Sequence, residues 1–304
     1  MEFASKRINC SIGIFAYNEE KNIGKLLEAI LNQELHQVEI EEIFVVGDGC
    51  TDKTIPIAEE FAKKDRRIKV LVQEKRGGKA SAVNLFLKVA KNEILVMESA
   101  DTLPEKNTVE NLVKPFSDQK VGMVGVRPVP VDNPKTFMGY TAHLLWELHH
   151  QISLEEPKMG EMVAFRKIFE KIPPTAVDEA CIEGFIKSKG YKIVYQPKAI
   201  IYNKGPETIS DFLRQRRRIY WGHLHLKDKT GYRVSTINLF KTFISLFKIT
   251  TRPGLVDRGR KIIYLPGAIF LEALGRFLGW WDYKISKKNH IVWDIAKSTK
   301  KLEL

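Results

Sequence analysis

The residues best placed to do chemistry lie in four polar clusters, each directly behind a short apolar run. Ala16-Tyr17-Asn18-Glu19 follows Ile12 to Phe15, and Asp48-Gly49-Cys50-Thr51-Asp52 follows Ile43 to Val46. Arg76-Gly77-Gly78-Lys79 follows Ile68 to Val72, and Ser99-Ala100-Asp101 follows Ile94 to Met97. Runs of that length read as strands, and parallel strands would gather all four clusters along one sheet edge, where open α/β proteins bind ligands. Such an edge offers carboxylates to a divalent cation, and a lysine behind glycines that let a phosphate approach the backbone. Taken alone, Asp48 and Asp52 would fit a turn and a helix cap equally well.

The elements that must position these clusters alternate along the chain. Helical patterns at Asn22 to Asn32, Ile55 to Lys64, Lys79 to Lys91 and Asn107 to Phe116 separate the strands, so the spacing predicts an α/β fold with a mostly parallel sheet. Pro128-Val129-Pro130-Val131-Asp132-Asn133-Pro134 interrupts the alternation and reads as a seam. Beyond it the pattern predicts a helix over Phe137 to Ile152, a strand over Met162 to Phe165 and a helix over Glu179 to Lys189. Two short strands, Lys192 to Tyr195 and Ala199 to Tyr202, should flank a Gln196-Pro197 turn. A long helix from Ile209 to Lys227 then carries Gln215-Arg216-Arg217-Arg218, with Gln215 and Arg218 on one face.

This ordered set resembles the family 2 glycosyltransferases of the GT-A fold, from Ile12 to about His225. The resemblance implies an inverting transferase that uses a nucleotide sugar, UDP- or GDP-linked, with Mg2+ or Mn2+. Ala16, Tyr17, Asn18, Glu19 and Asp48 match the family's nucleotide pocket, and Lys79, Ser99, Gln215 and Arg218 complete the implied donor site. Asp101 is the implied metal residue; the family usually has two acids here, one residue apart, where this chain has Ser99 and Asp101. Strand alternation should turn neighbouring Glu98 to the other face. Asp178-Glu179 stands where the family places its catalytic acids. Position favours Glu179 as the base and residue type favours Asp178, a short carboxylate at a helix entrance. Trp146, His150, Gly160, Glu161 and Trp221 are the implied acceptor contacts. The processive members follow their arginine motif with a stacking tryptophan, and Ile219 occupies that place here. His143, Glu147 and His150 share a helical face without a recognised zinc motif. The expected division is a transferase domain over 1–230, with a donor half over 1–127 and an acceptor half over 135–230, followed by a tail over 231–304.

Composition bears on partners. With 304 residues and 44% hydrophobic content the chain can bury a large core. Cys10, Cys50 and Cys181 lack pairing or metal-ligand spacing, which suits a reducing compartment. The first residues carry no apolar run of the kind a cleaved signal would need. Of the net charge of +12, residues 204–304 supply +13, from 21 Lys and Arg against 8 Asp and Glu. A basic, apolar-rich tail suits an anionic surface. Within it, Ile237 to Ile249 places Leu239, Phe240, Phe243, Leu246 and Phe247 at helical spacing, and Ile262 to Tyr283 adds Phe270, Phe277, Trp280 and Trp281. Pro266, Glu272 and Arg276 argue against a simple membrane span, so an interfacial amphipathic pair is expected, with packing on the domain as the alternative. The expected acceptor is a lipid or lipid-linked glycan at the cytoplasmic face of the cell membrane, with a soluble sugar or protein as the rival. A nucleic-acid partner is not expected, because no zinc-finger, KH or RRM signature accompanies the basic residues.

Overall fold

A computed structural model describes residues 7–234, Leu246, 258–292, 297–300 and Leu302. The first strands are β1 (Ile8–Ala16), β2 (Val38–Asp48), β3 (Ile68–Gln73) and β4 (Ile94–Ser99), separated by helices α1 (Ile23–Leu31), α2 (Thr54–Lys64) and α3 (Lys79–Val89). They pair in parallel in the order β3-β2-β1-β4. Side-chain alternation sends Ile12, Ile14, Ile43, Val45 and Val96 to one buried face and Phe15, Phe44, Val46, Leu95 and Met97 to the other. Both faces are covered, as parallel strands require. Gly13 lets α3 settle on the second face, since a Cβ there would lie 2.7 Å from the Phe86 ring.

The sheet continues through β5 (Thr102–Pro104), β6 (Val121–Pro130), β7 (Val163–Arg166) and β8 (Lys192–Asn203), in the order β4-β7-β6-β8-β5. Helix α4 (Thr108–Val113) packs beneath β8, while α5 (Phe137–Glu155), α6 (Asp178–Ser188) and α7 (Ile209–Thr230) build the other wall. β7 runs antiparallel to both β4 and β6, and β6 runs parallel to β8. The result is the expected α/β architecture, with its parallel part at the end that holds the four clusters.

Two local expectations need correction. The proline seam is not a break at its start, because β6 runs through Pro128 and Pro130, paired with Ile201 and Asn203 of β8. β7 meets β6 only over Met123–Gly125, so beyond that point β6 has β8 as its one partner, and proline is tolerated on an edge whose N–H is not needed. Likewise Gln196-Pro197 does not split two strands. β8 is continuous, with a register shift between Gly125/Tyr195 and Arg127/Ile200 that absorbs the extra residues as a bulge.

The C-terminal part adds α8 (Arg258–Trp281), which continues into a π-turn over Asp282–Ser286. Gly275 and Gly279 face α7, where a Cβ would lie 2.6 Å from Arg216 Cβ and 2.6 Å from the Arg217 carbonyl oxygen, respectively. Ala268 and Leu271 are buried, while Ile262 (74%), Ile263 (72%), Phe270 (64%) and Phe277 (53%) project outward. One face of this helix therefore packs and the other is exposed and apolar. By length and composition alone Ile262–Ser286 is apolar enough to cross a membrane. The helix expected over Ile237 to Ile249 lies outside the described residues, apart from Leu246, which packs near Tyr140, Leu144 and Ala268.

Candidate active site

The carboxyl ends of β1, β2 and β4 open into a cavity of about 700 Å³. Ala16, Tyr17, Glu19, Asp48, Lys79, Ser99 and Asp101 all line it. Asp48 leaves β2 and accepts the N–H of Gly77 at 2.7 Å and of Gly78 at 2.9 Å, so its carboxylate shapes the glycine turn that precedes α3. Gly78 needs its positive φ of 84° for that turn. Asp48 remains on the cavity wall, with lone pairs left for a ligand. Arg76 stacks over the Tyr17 ring at 3.9 Å. Asn18, at φ 53°, ties the β1 loop to the β2 loop by accepting Thr51 N–H at 2.8 Å, and it is not among the lining residues.

Glu19 is 4% exposed and accepts hydrogen bonds from Asn22 and from Lys300, whose ammonium also reaches the Tyr17 carbonyl. Burial, then the charge of Asp101, pushes Glu19 up to about 7 despite Lys300. Glu98 turns away as strand alternation demands; it is fully buried, bonded to Thr102 and absent from the lining.

The acid pair opens α6, and α3 presents Lys79 to it. Lys79 Nζ lies 2.6 Å from Glu179 Oε1 and 3.1 Å from Asp178 Oδ2. Lys79 therefore bridges the two carboxylates, rather than standing alone over the glycine turn. Burial and the neighbouring Glu179 charge raise the Asp178 pKa. Burial also works to raise Glu179, but the Lys79 ammonium outweighs it and holds Glu179 low. Two adjacent acids are thus pushed apart, the pattern that assigns proton-transfer roles.

Glu161 adds a further carboxylate from a loop strained to φ 56°. Burial, then the charges of Asp101 and Glu179, pushes it up to about 7. Arg218 of α7 is half-buried and faces these acids: desolvation lowers its pKa, while Asp178, Glu179, Glu161 and Asp101 work to restore it. Gln215, Gly160 and Trp146 also line the cavity. His150 and Trp221 do not: His150 Nδ1 meets the Tyr195 hydroxyl at 2.8 Å, and Trp221 is buried and stacked on His225. His143, Glu147 and His150 each take a different partner: the Asp132 carbonyl, Gln151 and Tyr195.

Among the described residues no three His, Cys, Asp or Glu side chains close around a metal position. The donor set nevertheless fits a hard divalent cation held mainly by Asp101, with water and phosphate oxygens completing the shell. The upward push that Asp101 exerts on Glu19 and Glu161 marks a negative potential that a cation would relieve.

Several lining residues had no signal in the sequence: Lys158, His223, Glu272, Arg276, His290 and Lys300. They come from loops and helices far apart in the chain, and their side chains converge only in the fold.

A model of glycosyl transferase family 2 matches residues 11–176 of the chain, more than half of it, and the related family group 2 model matches 185–277. The chain belongs to glycosyl transferase family 2. Among its family 2 relatives, the poly-beta-1,6-N-acetyl-D-glucosamine synthase of Staphylococcus aureus strain COL is 24% identical over 76% of this chain and 58% of its own length. The beta-monoglucosyldiacylglycerol synthase of Nostoc sp. is 33% identical over 42% of this chain and 27% of its own length. The chain therefore spans little more than half, or about a quarter, of these relatives. The mannosyltransferase PcManGT of Pyrobaculum calidifontis, solved with GDP-Man and Mn2+, shares the fold at a TM-score of 0.65 with 20% identity, over 93% of this chain and 88% of that one.

Proposed function

We propose that this protein transfers a sugar from a nucleoside-diphosphate sugar to a lipid or lipid-linked acceptor by inverting displacement, with Mg2+ or Mn2+. The observation that carries the reading is the Lys79 bridge to Asp178 and Glu179, in one cavity with Asp101, Glu161, Arg218 and the Asp48-held glycine turn. In the reaction the acceptor hydroxyl oxygen forms a bond to the anomeric carbon as the bond to the β-phosphate oxygen breaks. Asp178, with its raised pKa, takes the hydroxyl proton; Glu179 and Lys79 hold it in place. Arg218 faces the position of the leaving diphosphate and balances its charge. A divalent cation at Asp101 would supply Lewis-acid neutralisation of that diphosphate.

The lipid acceptor is supported by the exposed apolar face of α8 and the basic C-terminal third, which suit peripheral attachment to the cytoplasmic face of a membrane. The Nostoc relative's name, a glycolipid synthase, agrees with it. Thermal-shift screening of UDP and GDP sugars, with and without manganese, tests the donor half, because a ligand bound only by the native state raises its stability. No metal-dependent shift with either nucleotide would overturn it.

A further inference from the structure

Behind the acid cluster the same cavity ends in titratable side chains that the proposed transfer does not use. His149 of α5, Lys158 of the following loop, Arg216 and His223 of α7, and Glu272 and Arg276 of α8 line that end. Arg216 and Arg276 both bond Glu272 Oε1, at 2.8 and 2.7 Å, which leaves one net positive charge on the triad. Lys158 adds a second charge and has no hydrogen-bond or ion-pair partner among the described residues. Around it three ring nitrogens are buried without a partner: Nδ1 and Nε2 of His149, which is 6% exposed, and Nδ1 of His223. Buried orphan imidazole nitrogens call for a partner, and the half-buried ammonium beside them offers a ligand its charge.

Helix geometry keeps this group apart from the donor side. Arg216 and His223, seven residues apart, share one stripe of α7, whereas Gln215 and Arg218 share another, and Arg218 faces the acids. Burial and the nearby Arg216 charge lower Lys158 to about 8, and burial and Lys158 lower His223 to about 3. The imidazoles are therefore neutral N–H donors around two positive charges. A sugar hydroxyl would leave that charge unbalanced; a phosphate oxyanion balances it and accepts from every donor present.

We propose that this end of the cavity is a second anion subsite, formed by Lys158, His149 and His223 against the Arg216–Glu272–Arg276 cluster, which takes a phosphate group of the acceptor. It rests on the reading of the opposite end as the donor site. The same α8 that turns Glu272 and Arg276 inward turns Phe270 and Phe277 outward, so a lipid headgroup and a soluble phosphate ester can both supply the chemistry.

The test is inorganic phosphate titrated by thermal shift into the full chain in EDTA, where no cation draws phosphate to Asp101. Phosphate should raise the melting temperature of the wild type. Lys158→Met should bind phosphate at least about tenfold more weakly. His223→Gln should weaken phosphate in the same direction. An equal phosphate response in wild type and Lys158→Met would overturn the subsite. Vesicles of phosphatidylcholine with and without phosphatidic acid distinguish the sources: Lys158-dependent preference for phosphatidic acid assigns a lipid phosphate, and Lys158-dependent response to free phosphate alone assigns a soluble one. UDP and GDP with manganese, titrated into the same proteins, test the donor reading separately, since Lys158→Met should bind them as wild type does.

Discussion

Lys79 separates two carboxylates of unlike strength, and that is where the proposed proton transfer is decided. Glu179, 2.6 Å from the ammonium, is held low, while burial and the Glu179 charge raise Asp178, the direction that makes a carboxylate a stronger base. Asp178→Asn should therefore lose roughly 10²-fold or more in turnover with nucleotide affinity retained. Glu179→Gln should instead disturb Lys79 and lose less. Steady-state rates with calorimetry decide this, and full turnover in Asp178→Asn would place the base elsewhere. Glu98 gives a second test. Burial, then the charge of Asp101, pushes it up to about 8 from 4.5. Between those values the folded state keeps a proton that the unfolded chain has lost, so this group's contribution to stability falls as pH rises through the window. Glu98→Gln removes the titration. Its melting temperature in EDTA should gain on the wild type from about pH 4.5 to 8, and parallel profiles for the two proteins would refute the assignment.

At the scale of elements, α3 and α6 meet N-terminus to N-terminus, which favours the acids of α6 and leaves Lys79 as the cation between two positive helix ends. α7 presents Arg218 to this junction and is braced from behind by α8. The brace is close because Gly275 and Gly279 have no side chains, and it is tied by Arg217 to Asp282 and Arg216 to Glu272. Gly279→Ala would drive a methyl against the Arg217 carbonyl, 2.6 Å away. Overpacking of that kind costs about 1–3 kcal/mol. The expected outcome is a lower melting temperature; an unchanged one would mean that α8 does not brace α7 in solution.

Across the whole molecule, charge and apolar exposure lie in the same third of the chain. Residues 204–304 carry the entire positive excess, and α8 exposes Ile262, Ile263, Phe270 and Phe277. Anionic headgroups attract basic residues by about 1 kcal/mol each near the surface, and apolar insertion adds a part that salt does not screen. The chain should sediment with anionic vesicles and resist moderate salt. Phe270→Ser combined with Phe277→Ser should reduce that binding without lowering the melting temperature, because both side chains are more than half exposed. Binding unchanged by the pair would remove α8 from the contact.

The amino-acid sequence alone determined the parallel α/β half and the clusters at its edge, because strand period, glycine turns and helix starts are local properties of a few neighbouring residues. It also placed Asp178 and Glu179 at a helix entrance. Only the tertiary structure decided that Lys79 serves those acids, 100 residues away in the chain, that Lys300 pairs with Glu19, and that Asp48 holds the glycine turn. It likewise continued β8 through Gln196-Pro197, since a bulge is set by the partner strand. Lys158, His149, His223 and Arg276 have no shared motif. They become one site because packing of α5, α7 and α8 brings distant side chains into a single low-dielectric wall, and no local pattern encodes that convergence.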